Sequence, residues 1–144
     1  MNSYVQNKLK KIKSNYQVNQ LNPKSLVAAA HYKILYADLD TNTGGCSITN
    51  SRCSTIIVNQ EWDDSYINFV ILHEFSHLKL HGGESTPFYR KIGLNSFVPK
   101  LEYEANWMAL HLLISMQDEN EIDKLTKFQL MNYLGLPSNL AIFL

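Results

Sequence analysis

The sequence predicts an α+β fold in which helices pack on a short, mainly antiparallel β-sheet. Two observations predict it. Several stretches carry apolar residues at helical spacing, and two of them, residues 64–81 and 101–116, are apolar enough to lie in a core. Between the helical stretches lie YKILYADL (32–39) and the β-branched STIIVN (54–59), which read as strands and are flanked by turn formers.

Taken in order, Val5, Leu9, Ile12 and Tyr16 lie at helical spacing, with Lys8, Lys10, Lys11 and Lys13 largely elsewhere. That pattern is an amphipathic helix with a basic, solvated face. Asn22-Pro23 opens a second helix over 24–31, with asparagine as cap and proline in the first turn. After the first strand, DTNTGGCSITNSRC is dense in turn formers and reads as a hairpin or an irregular loop. After STIIVN, Asp63 or Asp64 caps a helix running to about His81, and Gly82-Gly83 ends it. Residues 84–99 read as a loop. Residues 101–116 form a buried helix and 119–134 a last amphipathic helix, stopped by Gly135 and Pro137, with one more turn in SNLAIFL.

The chain has 144 residues, 45% hydrophobic and 18% charged, which suits one domain with a sizeable core. The organisation expected is a single domain over 1–144: an N-terminal helix in 1–19, a core in 20–118 and a helical segment in 119–144. Formal net charge is zero, which argues against direct nucleic-acid binding through the lysines of the first helix. No apolar run approaches the roughly 20 residues that span a bilayer. The N-terminus lacks the apolar region of a secretory signal, so a cytoplasmic location is expected. Cys46 and Cys53 are expected to be free thiols, since no CxxC or His–Cys cluster accompanies them.

The chemistry concentrates in HEFSH, residues 73–77. On a helix, positions four apart differ by only about 40° around the axis, so His73, His77 and His81 form one row with Glu74 at its edge. Two imidazoles one turn apart can both reach a zinc ion at about 2.0–2.1 Å. The glutamate beside the first is then placed to take a proton from a water at the open position. His81 is set aside as a third ligand, because three histidines in a straight row span about 12 Å. It reads as a rim or capping residue.

The third ligand is expected from LEYEAN on the next long helix. Glu104 falls on the row Leu101, Glu104, Met108, His111, where a carboxylate needs a cation or donors. Glu102 points about 160° away from it, so only one of the two can face the site. Glu104 is the expected third ligand. The result is a zincin-like His–His–Glu zinc site with one open position, as in catalytic zinc hydrolases. The expected reaction is Glu74-assisted attack of zinc-bound water on a peptide bond. Tyr89, Tyr103 and His111 are candidate oxyanion donors.

The opening Asn22-Pro23 helix, STIIVN, FVILHEFSHLKLHG and LEYEANWMALHLLIS together resemble the ImmA/IrrE metallopeptidase family over roughly residues 20–135. The resemblance implies zinc ligands His73, His77 and Glu104, with Glu74 as catalytic base. It also implies a cytoplasmic, prophage- or mobile-element-type antirepressor that cleaves a helix-turn-helix repressor and so releases lytic or excision genes. The chain has no room for a fused DNA-binding module of ordinary size. That leaves substrate choice to a companion activator protein or to surfaces of its own. The competing reading is a non-catalytic antirepressor that binds its partner, with any metal structural.

Overall fold

The computed structural model describes residues 1–82, the backbone of Phe88 and Tyr89, and residues 99–144. Most of the loop expected over 84–99 lies outside the described residues.

Helix α1 spans Ser3–Tyr16 and buries Val5, Leu9 and Ile12, the stripe its spacing predicts. Asn2 caps it by accepting from the Val5 amide at 2.9 Å. Helix α2, Pro23–Ala29, opens with a reciprocal capping box between Asn22 and Ser25, each bond 2.8 Å. Four strands follow: β1 (Lys33–Ala37), β2 (Thr43–Asn50), β3 (Cys53–Asn59) and β4 (Phe88–Tyr89). Their order in the sheet is β1-β3-β2-β4. β1 runs parallel to β3, whereas β2–β3 and β2–β4 are antiparallel, so the sheet is mixed.

Of the two readings of DTNTGGCSITNSRC, the hairpin holds. Much of the turn-rich stretch is an eight-residue strand, and only Ser51 and Arg52 make the hairpin turn. Both have positive φ, 47° and 71°, as a two-residue type I′ turn demands. The glycines of this strand are not all turn formers. Gly45 lies beneath the next helix, where a Cβ would meet the Ile57 carbonyl and sit 2.8 Å from Val70 Cγ1. It marks a close approach of chain segments.

Helix α3 (Asp64–Leu80) crosses the sheet, and α4 (Lys100–Ser115) packs along α3. Val70, Ile71, Leu72 and Phe75 of α3 are at most 1% exposed, as are Ile56 and Val58 of β3 and Met108, Leu110 and Leu112 of α4. Full burial of each such large side chain contributes about 1.5–3 kcal/mol. Both helices are buried nearly all round, so their polar side chains are held in a dry environment. The expected helix over 119–134 is instead two: α5 (Glu119–Ile122) and α6 (Lys127–Leu134). Thr126 starts the second in a capping box with Gln129, a signal that outweighs continued helical periodicity. The chain ends in a 3₁₀ segment, Ser138–Phe143, which buries Phe143.

Lys79, near the end of α3, stitches α1 to α3. Its Nζ donates to Tyr16 Oη at 2.9 Å and lies 5.2–5.7 Å from the ring centres of Tyr16, Tyr32 and Phe75. No helix among the described residues is long and apolar enough to cross a membrane.

Candidate metal centre

The site is built where the middle of α3 faces the first turn of α4. Among the described residues, ligand-capable atoms of His73, Glu74 and His77 all lie within 4.8 Å of one another, and all three residues are buried. The two Nε2 atoms are 3.1 Å apart. The one-turn spacing therefore brings both rings to one point, as expected.

The carboxylate that meets them is Glu102. Its Oε2 is 3.0 Å from His73 Nε2 and its Oε1 is 2.8 Å from His77 Nε2. This corrects the assignment of Glu104, which faces the other side of the same helix as the opposed directions require. Glu104 Oε1 is 3.7 Å from His81 Nε2. The expectation failed because α4 is apolar on nearly every face, so an apolar flank does not mark the functional one. The missed signal was Asn106. It lies one turn after Glu102, on the same face, and is 2% exposed. Its Oδ1 is 2.8 Å from His73 Nδ1, which donates to it.

Position helps Glu102 as well. It lies in the first turn of α4, after Pro99, where the helix dipole favours a carboxylate. Its pKa is affected first by burial, which would raise it. Hydrogen bonds and charge from His73 and His77 outweigh that and hold it well below the usual carboxylate range. For His73, burial alone would lower the pKa. The hydrogen bond to Glu102 and the charges of Glu74 and Glu102 outweigh it, so the pKa is raised. Burial and then neighbouring His77 lower that of His81.

These groups suit a divalent metal. Asn106 fixes the proton of His73 on Nδ1, which turns the Nε2 lone pair toward His77 and Glu102. Basic atoms converging from three side chains need a cation among them, a proton or a metal. Their separations of 2.8–3.1 Å are close to the edge of a tetrahedron with zinc–ligand bonds of about 2.1 Å, which is about 3.4 Å. Glu74 Oε2 is further back, 3.8 Å from His73 Nε2. Glu102 therefore touches both histidines, while Glu74 lies within reach of the same point.

Of the remaining candidates, Tyr103 and His111 are not gathered here. Tyr103 packs against Phe143, with ring centres 5.0 Å apart. His111 lies two and a half turns along α4 from Glu102, stacked on Trp107 at 4.2 Å. Burial first, then the charge of Lys13, lowers its pKa. Tyr89 is on β4, opposite Thr43, and its side chain is outside the described set. His81 caps α3, its amide donating to the His77 carbonyl at 2.8 Å, and its Nδ1 is 2.9 Å from His77 Nδ1. The cysteines are free: Cys46 is opposite Ile57 and Cys53 opposite Asn50. Burial and the charge of Glu74 raise the Cys46 pKa, so its thiol stays protonated.

Two buried histidines and a carboxylate from two packed helices beside a small sheet form a site that could hold a metal ion. Residues 28–141 match the model of the Peptidase_M78 family, the IrrE N-terminal-like domain, and the chain belongs to that family. No curated protein and no solved structure gave a significant match.

Proposed function

We propose that the chain is a zinc-dependent endopeptidase with His73, His77 and Glu102 as ligands and Glu74 as general base. The observation that carries this reading is the convergence of Glu102 on both Nε2 atoms with Glu74 buried beside them. When bound there, zinc would polarise the scissile carbonyl and bring the pKa of water toward about 7. Glu74 takes a proton from the attacking water and hands it to the departing amine. Its burial excludes bulk water, which strengthens each charge interaction in the site. Asn106 holds the His73 ring in the tautomer that presents Nε2.

The proposed substrate is a helix-turn-helix repressor of a phage or mobile element, cleaved in the cytoplasm. Membership of the IrrE-like family supports this reading. The test mixes purified protein, or its zinc-replete Glu74→Gln variant, with the repressor encoded beside it and measures fragment masses. Discrete fragments from the wild type alone are expected. An intact repressor that is nonetheless inactivated by both proteins would replace proteolysis with antirepression by binding.

A further inference from the structure

Behind the metal ligands lies a second pair, His81 and Glu104, that the proposed chemistry does not use. Both side chains are nearly inaccessible, 6% and 9% exposed. His81 Nδ1 faces His77 Nδ1 at 2.9 Å, while its buried Nε2 has no hydrogen bond of its own and faces Glu104 Oε1 at 3.7 Å.

We infer that Glu104 and His81 form a positioning relay for His77. This rests on the metallopeptidase reading above. The direction of the relay follows from proton counting. A ligating His77 offers the lone pair of Nε2, so its neutral ring carries the proton on Nδ1. That N–H donates to His81 Nδ1. His81 must then accept there, and its own proton sits on Nε2, the atom that faces Glu104. Each ring nitrogen along the line His77–His81 thus has one permitted role, and the negative charge of Glu104, 3.7 Å from His81 Nε2, favours the proton at that end.

The fold supplies the rigidity such a relay needs. His81 is the C-cap of α3, held by its amide bond to the His77 carbonyl, and it lies one turn beyond the ring it serves. Glu104 is carried by α4, the helix that also carries Glu102 and Asn106. The two ligating histidines are therefore oriented differently: His73 by the amide Asn106, His77 by an imidazole backed by a carboxylate. Outer partners of this kind raise ligand basicity and fix ring orientation. His81 and Glu104 are positioning residues, since they act on the site through the His77 ring.

The test measures zinc affinity by competition with a chromophoric chelator, with circular dichroism confirming the fold. His81→Phe keeps the packing but removes the acceptor, and a loss of about 10–100-fold is expected. His81→Asn places Oδ1 where Nδ1 was, accepts from His77 and recovers most of that loss. Glu104→Gln weakens binding in the wild type but has no effect in the His81→Asn background, where the relay is already cut. Wild-type affinity in His81→Phe, no gain from Asn over Phe, or an equal effect of Glu104→Gln in both backgrounds would overturn the relay. If His81→Phe fails to fold, the Asn and Gln comparison decides alone. A wild type that binds no zinc would instead overturn the metallopeptidase reading, and the relay with it.

Discussion

The carboxylate of Glu102 reaches from α4 to His77 on α3, with Oε1 2.8 Å from Nε2, and its other oxygen is 3.0 Å from His73. One side chain thus joins the two helices that carry the site. On the proposed reading it would couple the packing of α3 against α4 to metal binding, so damage to either would show in the other.

Glu74→Gln should leave zinc affinity nearly unchanged and lower peptide hydrolysis by about 10²–10⁴-fold, the usual contribution of a general base. Parallel chelator competition and single-turnover cleavage check this. Loss of zinc together with activity would make Glu74 a ligand.

Asn106→Ala removes the acceptor for His73 Nδ1–H. Zinc affinity should fall about 10–100-fold, and the unsatisfied donor should destabilise the metal-free protein by about 1–3 kcal/mol. Asn106→Asp keeps an acceptor in place and should recover much of the affinity. Metal competition and urea unfolding together read both effects.

The ionised pair of Glu102 and His73 makes pH act in opposite senses on the metal-free and metal-loaded forms. The raised pKa of His73 gives stability that is full below its ordinary value of 6.5 and is lost as pH rises through the folded-state value. The depressed pKa of Glu102 gives stability present above its ordinary 4.5 and lost as pH falls toward the folded-state value. The pair therefore stabilises the metal-free protein most between these ordinary values. Zinc needs a neutral His73, so its affinity falls as pH drops through that raised pKa. Thermal melts should show metal-free protein more stable at about pH 5.5 than at about pH 8, with the increment due to zinc larger at pH 8. A zinc increment that grows on acidification would contradict the pairing.

Gly45→Ala should destabilise the fold by about 1–3 kcal/mol, because the new methyl group meets the Ile57 carbonyl and Val70. Strand and helix must then separate beneath the site. A shifted urea midpoint with unchanged slope checks this, and an unchanged midpoint would mean that the approach is looser than described.

Half of the site was legible in the sequence. HEFSH fixes its own geometry, because a helix turns regularly and two histidines one turn apart must share a face. Glu102 was not legible by the same rule. Helical geometry separates Glu102 from Glu104 but does not say which faces α3, and apolar residues surround both. Asn106 carries that information, since a buried amide one turn after Glu102 needs a polar neighbour. In the fold, β3 and α3 announce themselves by composition, whereas β2 does not. Its glycine reads as a turn until the close approach of Val70 is known. The break between α5 and α6 is written in the Thr126–Gln129 capping pattern, which periodicity alone does not show.

The most direct test of the central claim is a zinc titration of Glu102→Ala and Glu104→Ala side by side, with competition against a chelator of known affinity. The account predicts one zinc per chain in the wild type. It predicts a loss in Glu102→Ala beyond the roughly 100-fold upper range for an outer partner, and a smaller loss in Glu104→Ala. A loss in Glu104→Ala equal to or greater than that in Glu102→Ala would contradict it.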